Sequence, residues 1–454
     1  MADTSSSAKR SMFSSRLGFI LAATASAIGL GNLWRFPYLA ANYGGGTFVL
    51  TYLVLSLTLG LTLSLTENAL GRKTGKSAIG AFAHFGKKYT IIGLLVSVIP
   101  MIIFPYYSVI GGWVVKYFVT YITGNHVAAT GENFFTGFIS APVEPLIYTF
   151  IFIGISVFVV AKGVNKGIEA SNRIMMPLLF ILLIALGIYG LTLPGALDGL
   201  YYFLVPDFSK FSAGLVLAAM GQMFYSLSLA MGILFTYGSY LDKKEDLESS
   251  VVKVNLLDTL VSILAGLMII PGVFAIFGPD KLSAGPGLMF ITLPGVFTNM
   301  PGADIVGAAF FILVFFAAAT SAISLLETVV SIYCDAFKIS RARSLTYTTV
   351  ISLILALPAS LGFGPWESVT IIGMGLLDFM DFLSNTVLMP IAAFLTCIFV
   401  GWVIKTKVVE DEISQSSPFV TRKVYCVMVR FIAPVLVLLI LISSILSTFG
   451  ISLS

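Results

Sequence analysis

Two glycines, an asparagine and an arginine stand inside an apolar run in the stretch Ala25-Ser26-Ala27-Ile28-Gly29-Leu30-Gly31-Asn32-Leu33-Trp34-Arg35-Phe36-Pro37. In hydrocarbon every peptide N–H and C=O needs a partner, so irregular backbone survives there only inside protein or facing a wet cavity. A half-helix that starts at such a break presents free N–H groups and about half a positive charge, which suit a carboxylate. A half-helix that ends there presents carbonyls, which suit a cation. The chemistry implied is joint binding of an ion and a polar solute. Ser226-Leu227-Ser228-Leu229-Ala230-Met231-Gly232 forms a second interruption of the same kind. A dinucleotide reading of Gly29-Leu30-Gly31 fails, because Trp34 stands where a third glycine is needed and no strand precedes it. Cys334, Cys397 and Cys426 are scattered without metal spacing, His84 and His126 are isolated, and there is no phosphate loop. No nucleophile–base pair stands out, so an enzyme is not expected.

The elements that hold these breaks follow from composition. The chain has 454 residues, 57% hydrophobic and only 11% charged, where a soluble domain carries about 25% charged residues. Many runs reach the roughly 20 apolar residues that span a bilayer. The pattern predicts an all-α membrane protein with eleven spans over 16–38, 45–70, 89–123, 145–161, 170–193, 213–240, 251–278, 303–337, 344–360, 375–404 and 423–449. Of the 26 Lys and Arg, 21 flank alternate span ends on one side. The positive-inside rule then places the N-terminus in the cytoplasm and the C-terminus outside. The net charge of +4 is topogenic and implies no nucleic-acid partner. Met1–Ser15 is short, polar and basic, without a cleavable leader pattern. The breaks fall in the first and sixth spans. Paired interruptions at corresponding positions of two five-span halves point to the central site of a carrier.

Several stretches, in order and spacing, carry a family resemblance: Arg16-Leu17-Gly18, the Gly29–Pro37 break, Asn42-Tyr43-Gly44-Gly45-Gly46, Glu67 before Gly71-Arg72, Tyr106-Tyr107, Gly221-Gln222 and Thr320-Ser321. Through them almost the whole chain resembles bacterial amino-acid transporters of the neurotransmitter:sodium symporter family, the group for which broken helices and inverted repeats are described. The resemblance implies a cytoplasmic segment 1–15, inverted repeats over 16–194 and 213–404, and an extra helix over 423–449.

It also implies two sodium ions as co-substrates. The first would meet the Ala27 carbonyl, the Asn32 side-chain oxygen, Ser226, the substrate carboxylate and a residue of span 7. Asp258 fits best there by its distance to Ala265-Gly266, and Asn255 lies one turn earlier. The second would meet the Ala25, Ile28 and Ala317 carbonyls and the Thr320 and Ser321 hydroxyls, all hard oxygen donors. Such hydroxyls more commonly bond their own helix. The substrate carboxylate would lie on the Leu30 and Gly31 amides and the Tyr107 hydroxyl. Its amino group would lie near Tyr225 and Ser228. Its side chain would lie among Ile103, Tyr107, Tyr225, Met231, Ser321 and Leu325. No charge stands in that set, which suits neutral hydrophobic L-amino acids, aliphatic and aromatic. Asp258 supplies a fixed negative charge near the first ion, which implies independence of chloride. Pro105 departs from the family pattern and bears on the volume of the pocket.

The outer gate would pair Arg35 with Asp381, directly or through water, over a Tyr225 lid. The inner gate would pair Arg10 with Asp335 beside Tyr240. Glu67 would brace a break. Gly167 and Pro177 frame a segment of span 5 whose unwinding would admit water to the second ion. The expected protein is therefore a sodium-coupled importer working by alternating access in a bacterial plasma membrane. A proton-coupled or differently selective carrier of the same fold is the alternative, ahead of a channel or a non-transporting receptor. Partners implied are a small amino acid and the bilayer; oligomeric state is left open.

Overall fold

The computed structural model describes residues 12–131, 133–278 and 287–448. Among these residues nine unbroken helices are long and apolar enough to cross a membrane: Gly46–Thr74, Lys87–Ile122, Glu144–Ala161, Val164–Leu191, Leu247–Phe277, Ala303–Phe337, Arg341–Leu361, Leu376–Val403 and Arg422–Thr448. The first crossing is a pair, Arg16–Ala27 and Gly31–Asn42, bent by 55° at the glycine break. The sixth is another pair, Ala213–Ser226 and Ile233–Gly238, each too short to cross alone. Each of the eleven expected spans thus has its helix or broken helix, and the described residues form no β-strand beyond isolated bridges.

Local chemistry sets where several of these helices begin. Ser15, Ser212 and Asp246 accept from the backbone N–H groups of Gly18, Leu215 and Ser249 and so satisfy first-turn donors. Pro100 and Pro105 lie within one continuous helix, Thr90–Ile122. The core is built around Ala303–Phe337, which packs against the third, fourth and fifth crossings and against the first half-helix. Small residues allow the close approaches. A Cβ on Gly71 would run into the Phe235 carbonyl, and one on Gly238 into the backbone of Asn68. These two contacts lock the second crossing to the half-helix after the sixth break.

At the far end of the second crossing Arg72 is buried. Its guanidinium donates to Glu412 Oε1 at 2.8 Å and to the carbonyls of Glu412 at 2.6 Å and Glu245 at 2.8 Å. That arginine fastens the turn after the tenth crossing to the loop after the sixth.

Candidate functional site

The first break opens because the helix changes its hydrogen bonds there. Ile28 leaves helical geometry with ψ 111°. The Gly29 N–H donates to the Asn32 side-chain oxygen at 2.9 Å rather than back to the Ala25 carbonyl. A π-helical turn over Gly31–Arg35 then restarts the helix. At the second break Ser228 and Ala230 adopt positive φ of 52° and 59°, a strained geometry for side-chain-bearing residues. The Ala230 N–H donates to Glu67 Oε1 at 2.7 Å, so the buried Glu67 carboxyl braces that break from the second crossing.

The two breaks face each other. Ser228 Oγ donates to the Ser26 carbonyl at 3.1 Å, and Gln222 Nε2 donates to the Gly31 carbonyl at 2.9 Å. Between them lies a cavity of about 30 Å³. Gly31, Ile103, Tyr107, Tyr225, Ser228, Met231, Ser321 and Leu325 line it together with Ser26, Ala27, Gly29, Asn32 and Ile233. The Leu30 N–H reaches the Tyr107 hydroxyl oxygen at 3.3 Å. The residues assigned to a solute by resemblance are therefore in one place, and the lining carries no charged side chain.

A polar cluster adjoins this cavity. Asn32 Nδ2 donates to Asp258 Oδ1 at 2.7 Å, to Ser226 Oγ at 2.9 Å and to Ser262 Oγ at 2.9 Å. Ser226 Oγ donates to the Asp258 carboxylate at 2.9 Å and Tyr52 OH does so at 3.1 Å. Of the two span-7 alternatives, Asp258 is the one that meets Asn32 and Ser226. Asn255 does not join them. It points to the Ser56 carbonyl at 3.4 Å, because three residues along a helix turn the side chain aside as well as shifting it along the axis. The Asn32 oxygen, expected to face an ion, faces the Gly29 N–H instead. The broken turn leaves that amide without its helical acceptor.

At the other edge of the cavity Ser321 Oγ donates to the carbonyls of Ser26 at 3.1 Å and Ile28 at 3.0 Å. The Thr320 hydroxyl bonds the Phe316 and Ala317 carbonyls of its own helix at 2.9 and 3.1 Å. Ala25 is fully buried in the half-helix that ends at this point.

A larger vestibule of about 350 Å³ lies beyond Tyr225, which lines both chambers. Arg35 and Asp381 both line it. They form no ion pair within 4 Å among the described residues. Arg35 donates to the Gly221 carbonyl at 3.3 Å and lies 5.7 Å from the Tyr225 ring centre. Asp381 accepts from Tyr106 at 3.1 Å and Asn385 at 2.6 Å. At the opposite end Asp335 accepts from the Ser77 N–H and hydroxyl, both at 2.7 Å. Tyr240 OH donates to Glu327 at 2.8 Å. Arg10 lies outside the described residues. Gly167 falls in a π-helical turn, Val164–Glu169, and Pro177 sits inside the continuous helix Ala170–Leu191. The segment between them is helical in this conformation.

Tyr52, Gln222 and Ser262 are site residues that the sequence reading did not assign. Ser262 follows Asp258 by one helical turn on the same face, a spacing that was legible. Gln222 was noted only as part of a motif. Tyr52 gave no local signal, because an isolated tyrosine in an apolar span reads as packing.

Two broken crossings around an enclosed, uncharged cavity, in a helical protein that crosses the membrane many times, define a solute carrier. The chain matches the sodium:neurotransmitter symporter family over residues 10–137 and 141–452. It is 34% identical over 457 residues to an uncharacterized sodium-dependent transporter of Haemophilus influenzae, across 97% of this chain and 99% of that one. It is 33% identical to the uncharacterized sodium-dependent transporter YhdH of Bacillus subtilis, across 95% and 97%. Its fold superposes on MhsT in complex with L-phenylalanine with a TM-score of 0.87 at 42% identity, covering 96% of this chain and 100% of that one. The chain belongs to the sodium:neurotransmitter symporter family, whose members are membrane transporters and not enzymes.

Proposed function

We propose that the chain imports neutral, hydrophobic L-amino acids, aliphatic and aromatic, together with sodium and without chloride, by alternating access. The observation that carries this reading is the uncharged cavity between the breaks, with the Leu30 amide and Tyr107 hydroxyl at its edge. A charged solute side chain would lie there without a partner, at a cost of several kcal/mol. The phenylalanine bound by MhsT supports the aromatic part of the range. Met231 supplies a flexible thioether to the lining, a group that adapts to side chains of different shape.

Two sodium ions are assigned to this reading. One lies beside Asp258, Asn32, Ser226 and the Ala27 carbonyl. The other lies beside the Ala25, Ile28 and Ala317 carbonyls with Thr320 and Ser321. A negative Asp258 next to the first ion removes the need for a bound anion. Arg35 and Asp381 close the outer side, and Asp335 with Tyr240 the inner side. The basic side of the protein faces the cytoplasm of a bacterial cell. Each ion moving inward then releases about 2.3 kcal/mol per 100 mV, and Asp258 and the solute carboxylate couple ion and solute binding at one cluster.

The test is uptake of labelled phenylalanine and leucine into proteoliposomes. Saturable uptake that needs external sodium, fails in potassium or choline, and survives replacement of chloride by gluconate is expected. Uptake driven by a proton gradient without sodium would establish the proton-coupled alternative, and non-saturable flux would establish a channel.

A further inference from the structure

The transport site leaves the hairpin between the last two crossings unused. Helix Leu376–Val403 turns there into helix Arg422–Thr448, and the hairpin holds Lys405, Lys407, Arg422, Lys423 and Arg430. Arg430 stands eight residues into the second helix, about 12 Å along it at 1.5 Å per residue. Around it the helix faces outward with apolar side chains: Val427 is 50% exposed and Phe431 55%. Trp402, 57% exposed, donates its indole N–H to the Arg430 carbonyl at 3.1 Å and sets its ring edge-on to Phe431 at 5.7 Å.

Three other arginines at helix ends meet a carboxylate: Arg72 meets Glu412, Arg173 meets Glu169, and Arg341 meets Glu327. Arg430 meets none within 4 Å among the described residues, and its guanidinium makes a single hydrogen bond, from Nη2 to Thr406 Oγ1 at 2.8 Å. Two of the three carboxylates of the hairpin are taken, and the third, Asp411, is exposed and forms no ion pair within 4 Å among the described residues. Glu410 accepts from Arg422 at 2.6 Å and from the Cys426 thiol at 3.2 Å, and Glu412 holds Arg72. The exposed Lys405, Lys407 and Lys423 outnumber Asp411 and, with Arg430, leave a surplus of positive charge. A charged side chain on a membrane-facing helix is costly unless something pairs with it. A phosphate offers a planar guanidinium two acceptors at once. Tryptophan at this depth belongs to the headgroup level.

We propose that Arg430, Thr406, Lys405 and Trp402 form a binding site for the headgroup of an anionic phospholipid. The phosphate lies on the free edge of the Arg430 guanidinium, and the acyl chains run along Val427, Phe431 and Trp402. The surplus positive charge selects an anionic headgroup over a zwitterionic one, whose cationic end it repels.

The experiment is native mass spectrometry of the full chain in detergent with dioleoylphosphatidylglycerol, dioleoylphosphatidylcholine or soluble glycerol phosphate. Retention of phosphatidylglycerol at least about tenfold above phosphatidylcholine is expected, the factor that 1.4 kcal/mol represents. Arg430→Gln lowers phosphatidylglycerol retention by a similar factor and leaves phosphatidylcholine unchanged, whereas Arg430→Lys retains part of it. Lys405→Gln and Trp402→Leu, at exposed positions, give the same direction if Arg430→Gln fails to fold. Equal retention of the two lipids, unchanged retention in all the variants, or binding of glycerol phosphate as tight as that of the lipid would overturn the proposal. Sodium-dependent uptake in phosphatidylcholine liposomes is retained by the variants, which separates this site from the carrier function.

Discussion

Replacing Asp258 by serine tests how charge is arranged beside the cavity. The carboxylate is fully buried and takes hydrogen bonds from Asn32 at 2.7 Å, Ser226 at 2.9 Å and Tyr52 at 3.1 Å. A monovalent cation about 4 Å from a carboxylate gains about 4 kcal/mol at an effective dielectric near 20. That energy is about a thousandfold in ion affinity. Asp258→Ser deletes it and leaves the Tyr52, Ser226 and Ser262 hydroxyls and the Asn32 amide around a vacated space with hydrogens to donate. Such a space suits a small anion. In gluconate the half-saturating sodium concentration should rise by about a hundredfold to a thousandfold. Chloride should recover part of the loss by supplying the missing negative charge. The assay is initial-rate uptake of labelled phenylalanine across a sodium titration, in chloride and in gluconate, with equal amounts of reconstituted protein. An unchanged sodium requirement in gluconate would show that Asp258 does not neighbour a transported ion. A loss that chloride leaves untouched would show that the donors do not form an anion cradle.

Three further perturbations follow from the geometry. Gly31→Ala places a Cβ about 2.6 Å from Tyr225 Cε1, so phenylalanine binding should fall at least tenfold while the unfolding temperature stays near that of the parent; unimpaired binding would mean the ring yields freely. Glu67→Leu removes the acceptor of the Ala230 N–H and leaves that buried donor unsatisfied, at a cost of about 1–3 kcal/mol. Thermal denaturation should show that loss, and Glu67→Gln should restore most of it. Pro177→Ala returns an N–H to the Arg173 carbonyl and stiffens the helix. Release of solute to the inside should slow while binding from outside is spared, and equal uptake at equal expression would argue against a hinge there.

The crossings were legible because hydropathy and the alternation of basic residues are summed over many positions, and one wrong residue does not change the sum. The breaks were legible because Gly29, Gly31 and Gly232 interrupt runs that otherwise have no reason to stop. What escaped depends on the rotation of single side chains. Asn255 and Asp258 are three apart in sequence, yet only Asp258 turns toward Asn32. Tyr52 reaches the same carboxylate from a crossing with no motif at that point. Arg35 and Asp381 face one chamber, but Gly221 and Tyr106 are their nearer partners. Periodicity gives the face a residue lies on, and packing decides which neighbour it meets.

Tyr225 forms part of the wall of both chambers. The two rooms therefore share one aromatic partition. Rotation of that ring trades volume between the two rooms, so what widens one narrows the other.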